Sequence, residues 1–334
     1  MINLGKILLR ALSKVAIILG ALVFILWMAI ARPVITGNEQ VTVDQTAVKL
    51  TAERLETHVR ILSEDFAPRD YKHPENLAKS ANYIRSQWEG MGLQTEEQNF
   101  IVDGKPYKNI ITHFPAGTDD VKGKLVLGAH YDAAWNFPGA DDNASGTAGL
   151  IETARLLKAN PPNRPITLVA YSLEEPPFFG SENMGSYVHA KSEKDAGSDI
   201  DLMISIEMIG YFSDEKGSQE YPLRLLELYY PDQGNFIGII DRMTSDRGRA
   251  VKKQMRKHIS VPVHSINAPI IVQGIEYSDH RNYWEFGYDA IMISDTSFYR
   301  NKAYHKETDT ADRLDYYKMA HVVHGISNYA SNVD

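Results

Sequence analysis

Residues 124–132 read K-L-V-L-G-A-H-Y-D, an apolar run of strand length that ends on a histidine and, two positions later, an aspartate. Four more apolar runs of similar length are I-I-T-H-F at 110–114, I-T-L-V-A-Y at 166–171, L-M-I-S-I at 202–206 and A-I-M-I-S at 290–294. Near-continuous rather than alternating apolar runs are what strands covered on both faces require. Helical patterns lie between them: Asn76 to Met91 stopping at Gly92, the stretch after Gly146, S-Y-V-H-A after Gly185, an amphipathic stretch from Phe236 to His258, and a closing segment from Leu314 to Tyr329. The alternation predicts one α/β domain with a mostly parallel central sheet flanked by helices on both faces.

Open sheets of this kind bind ligands beyond the carboxyl ends of their strands. At those positions the chain repeatedly carries side chains able to ligate a metal. His130 and Asp132 follow the run at 124–129, Glu174 and Glu175 the run at 166–171, and Glu207 the run at 202–206. The glycine-bounded loop G-A-D-D-N-A-S-G at 139–146 sets Asp141 and Asp142 just before a helix, and Y-H-K-E-T-D-T at 304–310 adds His305. Taken singly, each has a plain reading: a surface histidine, an exposed glutamate pair, an aspartate capping a helix. Adjacent carboxylates directly after a buried strand are costly unless a cation or a proton compensates them, and this favours a site.

Composition narrows the chemistry. The 334 residues include no cysteine, which excludes disulfide scaffolds, cysteine nucleophiles, thiolate zinc fingers and iron–sulfur ligation. Any metal must therefore sit on nitrogen and oxygen. Of the 35 basic residues, Lys6, Arg10, Lys14 and Arg32 lie in the first 32 positions, where there is no acidic residue, so the remainder sets 31 basic against 43 acidic residues. That balance argues against a nucleic-acid partner. The basic stretch K-K-Q-M-R-K-H at 252–258 reads as a solvated helix face.

From Val15 to Ala31 seventeen residues pass without a charge, and the charges before them are basic. The run is expected to be a single transmembrane helix and a membrane contact, with the N-terminus cytoplasmic and the rest extracytoplasmic, periplasmic or extracellular. Ala29-Ile30-Ala31 leaves open a cleaved signal peptide and a secreted product. The expected organisation is residues 1–36 as cytoplasmic N-terminus and anchor, 37–50 as linker and 51–334 as catalytic domain.

The strings G-A-H-Y-D, P-G-A-D-D-N-A-S-G, L-E-E, I-E-M-I-G, S-D-H and Y-H-K-E-T-D-T, in that order, resemble the co-catalytic zinc aminopeptidases and their glutamate-carboxypeptidase relatives, metallopeptidase family twenty-eight. The likeness runs from about Leu55 to the C-terminus. It implies a zinc-exopeptidase-like fold and two zinc ions per chain, one held by His130 and Glu207 and the other by Glu175 and His305, with Asp142 bridging. It further implies Glu174 as general base, Asp132 as partner of His130, and Tyr304 as donor to the developing oxyanion. Two imidazoles and three carboxylates suit zinc, and the metals would lower the pKa of bound water and polarise a scissile carbonyl.

Two departures from the family pattern matter. Glu207 stands where aspartate is common, and P-P-F-F-G-S follows the glutamate pair where Gly and Leu are common, so Phe178 and Phe179 either line a pocket or anchor the loop. The expected substrate is a peptide, cut at its N-terminal residue. Alternatives on the same fold are a carboxypeptidase for acidic dipeptides, with Arg281 or Arg300 gripping a carboxylate, and a glutaminyl cyclase. A further alternative is an inert binding or scaffold protein, which should have lost a ligand or the base. Ser145 lacks the surrounding glycines of a serine nucleophile, and the sequon at Asn143 lies beside a proposed ligand. Oligomeric state is not legible.

Overall fold

The computed structural model describes residues 4–30, 43–116 and 123–332. Among the described residues one eight-stranded mixed sheet forms, in the order β1-β2-β4-β3-β5-β8-β6-β7. Its strands are β1 (Thr95–Val102), β2 (Lys105–Phe114), β3 (Lys124–His130), β4 (Ile166–Tyr171), β5 (Ile200–Ile206), β6 (Ile237–Arg242), β7 (Val263–Ala268) and β8 (Ala290–Ser294). The centre, β4-β3-β5-β8, is parallel, whereas β1 and β2 join one side antiparallel and β6 joins β8 antiparallel on the other.

The pleat explains the apolar runs. On β3, Leu125 and Leu127 enter the main core while Val126 faces a second cluster with Val169, Tyr171 and Met203. One face is covered by α2 (Gln45–Arg60), α3 (Pro74–Gly90), α4 (Gly146–Ala159), α6 (Arg247–Met255) and α8 (Tyr316–Asn332), the other by α5 (Gly185–Asp195) and α7 (His280–Glu285). Asp44 caps α2 by accepting hydrogen bonds from the N–H groups of Thr46 and Ala47.

Two expectations are corrected, and one strand had no expectation. The stretch from Phe236 to His258 is a strand followed by a short helix, β6 and α6, because its first apolar residues are a six-residue run paired to β7 and β8. A polar segment, T-E-E-Q-N-F-I-V, forms the edge strand β1, which carries no core pattern because one side of it is exposed. The transmembrane helix, together with the membrane contact and the cellular placement inferred from it, is overturned: among the described residues no helix is long and apolar enough to cross a membrane. Helix α1 (Leu4–Ile30) does form. Lys6, Arg10 and Lys14 fall in its first half, and the sixteen uncharged residues from Val15 to Ile30 rise only about 24 Å against a hydrocarbon core of about 30 Å.

Of the segment 37–50 read as a linker, residues 37–42 lie outside the described residues, and α2 starts at Gln45. Val48, Thr51, Ala52 and Leu55 of α2 are buried, whereas the described large apolar residues of α1, such as Ile17 and Val23, are exposed. Deleting residues 1–36 is therefore expected to leave the thermal midpoint within about 2 °C of the full chain, as scanning calorimetry would read it. A fall of about 8 °C or more would show that α1 contributes to the core.

Candidate active site

The site forms where β3, β4, β5 and β8 end. β3 terminates on His130, a buried residue whose carbonyl accepts a hydrogen bond from Thr147 Oγ1. Two residues on, Asp132 does more than face that ring. Its Oδ1 lies 3.3 Å from His130 Nδ1, and its two oxygens also accept the backbone N–H groups of Glu174 and Glu175 at 3.2 and 3.1 Å. One carboxylate thus fixes the end of β3 to the end of β4. Leu173, with φ of 64°, turns the chain so that both glutamates enter the cleft.

The loop carrying Asp142 is held from below. Gly139 adopts φ of 58°, a left-handed conformation, and a Cβ there would strike the carbonyl of Asp142. Asp309 accepts hydrogen bonds from the N–H groups of both Asp141 and Asp142, at 3.1 to 3.2 Å. Arg69, fully buried, donates to the carbonyls of Leu62, Tyr131, Pro138 and Gly139 and so ties the ends of two loops together. Asp141 is not a helix cap: its carboxylate accepts from Gly210 N and Asn301 Nδ2. Ser145 Oγ donates to Asp141 O and accepts from Ile209 N, which makes it a brace rather than a nucleophile. Asn143 is buried and bonded to Ile206 O, Gly146 N and Met208 N, so no glycan fits there.

Two sets of donors converge on Asp142. His130 Nε2 lies 3.5 Å from Asp142 Oδ1 and 3.2 Å from Glu207 Oε2. His305 Nε2 lies 3.1 Å from both Asp142 Oδ2 and Glu175 Oε2. Glu174 Oε2 stands slightly further off, 3.8 Å from His130 Nε2, so that His130, Glu174 and Glu175 form a further possible donor group. Ser278 Oγ donates to Glu207 Oε2 at 2.7 Å and is itself 2.7 Å from Ser205 Oγ, which seats the Glu207 side chain. Tyr304 stacks on His305 with ring centroids 3.8 Å apart and lines the cleft.

The residues fit a divalent cation. Spacings of 3.1 to 3.5 Å match the edges of a tetrahedron about a zinc ion bound at ~2.1 Å. Glu175 Oε1 and His305 Nε2 are buried yet make no hydrogen bond, a costly state that a shared cation relieves. The electrostatics agree. Burial, then the charge of Asp142, pushes Glu175 up to about 7. Burial would lower His305, but Asp142 and Glu175 outweigh it and carry the ring up to about 11. Burial would raise Asp142, but His130 and His305 hold it below the usual carboxylate range. The centre thus attracts positive charge.

From this centre a cleft of about 920 Å³, its mouth included, runs across β8, β6 and β7. Gly238, Ile240, Ile266 and Met292 line its floor and Tyr230, Phe236, Phe298 and Tyr299 its walls. Phe178 does not line it; the ring is buried against Tyr71, whereas Phe179 meets Tyr277 and the Arg281 guanidinium at the rim. Arg300 is buried over Phe212 and Phe236 and donates to Gln219 and Tyr211, so it does not face the cleft.

A doubly covered mixed sheet that gathers nitrogen and oxygen donors at its carboxyl edge suits a metal-dependent hydrolase, and the family match makes it a metallo-exopeptidase. The chain belongs to peptidase family M28, whose family model matches residues 109–330. It is 44% identical over 283 residues to the uncharacterized protein YfbL of Escherichia coli, covering 82% of this chain and 86% of that one. Among solved structures it resembles the LapA aminopeptidase of Legionella pneumophila (TM-score 0.67, 20% identity, 90% of this chain and 79% of that one). It also resembles a glutaminyl cyclase from Bacteroides thetaiotaomicron (TM-score 0.62, 18% identity, 85% and 98%).

Proposed function

We propose that the chain is an aminopeptidase with two zinc ions, one held by His130 and Glu207, the other by Glu175 and His305, with Asp142 shared. The observation that carries this reading is the pair of donor sets converging on one carboxylate. When bound, the zinc ions supply polarisation of the scissile carbonyl and acidification of the attacking water. Glu174 accepts that water's proton on its carboxylate and delivers it to the leaving amine. Asp132 holds the His130 ring and the backbone of the glutamate pair in place. The Tyr304 hydroxyl donates to the oxygen that gains charge; burial, followed by the nearby Asp142 and Glu175, raises its pKa and keeps it protonated.

The apolar arm of the cleft receives the side chain of the N-terminal residue, large and uncharged, since among the described residues its β6–β7 end is lined mainly by apolar side chains, and burial there lowers His264 to about 4 and so keeps that ring neutral. Gly238 is the determinant of its depth. Its φ is not in the left-handed region, and a Cβ would sit 3.2 Å from Ser294 O and 3.4 Å from Thr296 Cγ2, on the cleft side. Gly238→Leu is expected to lower kcat/KM for a phenylalanyl reporter about tenfold or more and for an alanyl reporter by less than threefold, the scale of a lost apolar pocket. Equal losses on both would remove Gly238 from substrate selection.

The test of the function is a panel of aminoacyl reporters, acidic dipeptides and peptides with N-terminal glutamine, with and without chelator. Chelator-sensitive release of leucine and phenylalanine is expected. Cyclisation of glutamine without hydrolysis would instead establish the cyclase reading, which the glutaminyl cyclase neighbour supports.

A further inference from the structure

Trp135 lies outside the apolar cleft and packs against His305 of the donor cluster. It lies three residues past Asp132, in a turn closed by Phe137 N–H donating to Ala134 O. Its φ is 47°, a conformation that bulky residues rarely adopt. The turn holds the indole at 43% exposure, unusual for this side chain, with its ring edge-to-face on His305 at 5.2 Å and on Phe137 at 5.8 Å. Phe137, Gly139, Asp142, His305 and Lys306 outline a shallow groove beside it, too small to hold a water molecule. Asp142 lines both this groove and the cleft, so the reacting bond lies between them.

A peptide whose N-terminal side chain fills the cleft must direct its second residue the other way, because the cleft leads away from the centre toward β7. Resting on the aminopeptidase reading, we infer that Trp135 is the binding surface for the residue following the scissile bond, and that it selects aromatic and large apolar side chains there. The indole offers a flat apolar face held in place before substrate arrives, which lowers the ordering cost of stacking. Lys306, at the groove's edge, bonds to Lys302 O and is otherwise open to the peptide beyond.

The test compares Leu-Phe-Ala with Leu-Gly-Ala on the zinc-loaded full chain. Trp135→Ala is expected to lower kcat/KM at least tenfold on Leu-Phe-Ala, chiefly through KM, and by threefold or less on Leu-Gly-Ala, with zinc content as in the wild type. Trp135→Phe should recover most of the loss. Independently, indole emission in a Glu174→Gln background, which holds the peptide uncut, should respond more to Leu-Phe-Ala than to Leu-Gly-Ala, and that difference should vanish when Trp135→Phe is added. Wild-type cleavage of both peptides at a ratio that Trp135→Ala leaves unchanged would overturn this inference while the aminopeptidase reading stands, as would an emission that responds equally to the two peptides. Failure of the wild type to cleave either peptide would overturn both.

Discussion

Glu174→Gln is expected to lower kcat by a hundredfold to ten-thousandfold while zinc content and circular dichroism match the wild type, the range set by losing a general base. The amide has nearly the same volume, and the contact that locates this residue is its backbone N–H to Asp132 Oδ1, which the substitution leaves alone. What disappears is the ability to take a proton. Glu174 is the centre's carboxylate set furthest from an imidazole, 3.8 Å from His130 Nε2 against 3.1 to 3.5 Å for Glu175, Glu207 and Asp142. Burial, with Glu175 and Glu207 nearby, raises its pKa well above the usual carboxylate range, as suits a group that must both receive and release a proton. A kcat within fivefold of wild type would remove Glu174 from the proton transfer.

The second large effect is expected at Asp142. Its two oxygens serve different histidines, Oδ1 toward His130 and Oδ2 toward His305, so its loss breaks both donor sets at once. Asp142→Ala should weaken zinc binding by more than a hundredfold and leave less than one equivalent after dialysis, with hydrolysis below detection. Asp142→Asn, which keeps the shape inside a loop held by Asp309 and Arg69, should show a smaller loss in the same direction. Removing the charge also leaves His130 and His305 facing fewer carboxylates, so their affinity for protons should fall too. Unchanged zinc content in Asp142→Ala would exclude a shared ligand. Dissection by His130→Ala, expected to lower zinc content without emptying the centre, separates the two halves.

The strands of the sheet's centre were readable because both their faces are covered, which makes their sequences uninterrupted apolar runs; β3 sends Leu125 one way and Val126 the other. The margins were legible only in part, as I-I-T-H-F marked the second half of β2. β1 is polar because it is an edge, and β6 begins I-G-I-I, a run too short to separate strand from helix when followed by the basic residues of α6. The apolar N-terminal run shows the opposite hazard, since composition suggested a membrane span that the helix does not supply among the described residues.

At the site, the side chains that ligand chemistry singles out come together in the fold. His130, Asp142, Glu175, Glu207 and His305 occupy two joined clusters, with Glu174, Asp132 and Tyr304 around them. The braces were invisible. Nothing in the sequence around Arg69 predicts a guanidinium bonded to four carbonyls, because backbone acceptors leave no pattern. Asp309 and Ser278 stood inside the strings Y-H-K-E-T-D-T and S-D-H, yet their partners, the N–H groups of Asp141 and Asp142 and the carboxylate of Glu207, are distant in sequence. Trp135 followed Asp132 closely without any motif; only its backbone conformation and exposure mark it.

Elemental analysis of the zinc-replete chain after dialysis puts the central claim to its most direct test. The arrangement around Asp142 predicts about two zinc ions per chain in the wild type and fewer than one in Asp142→Ala. A wild-type chain that retains one ion or none, with Asp142→Ala retaining as much, would contradict a centre built on a shared carboxylate.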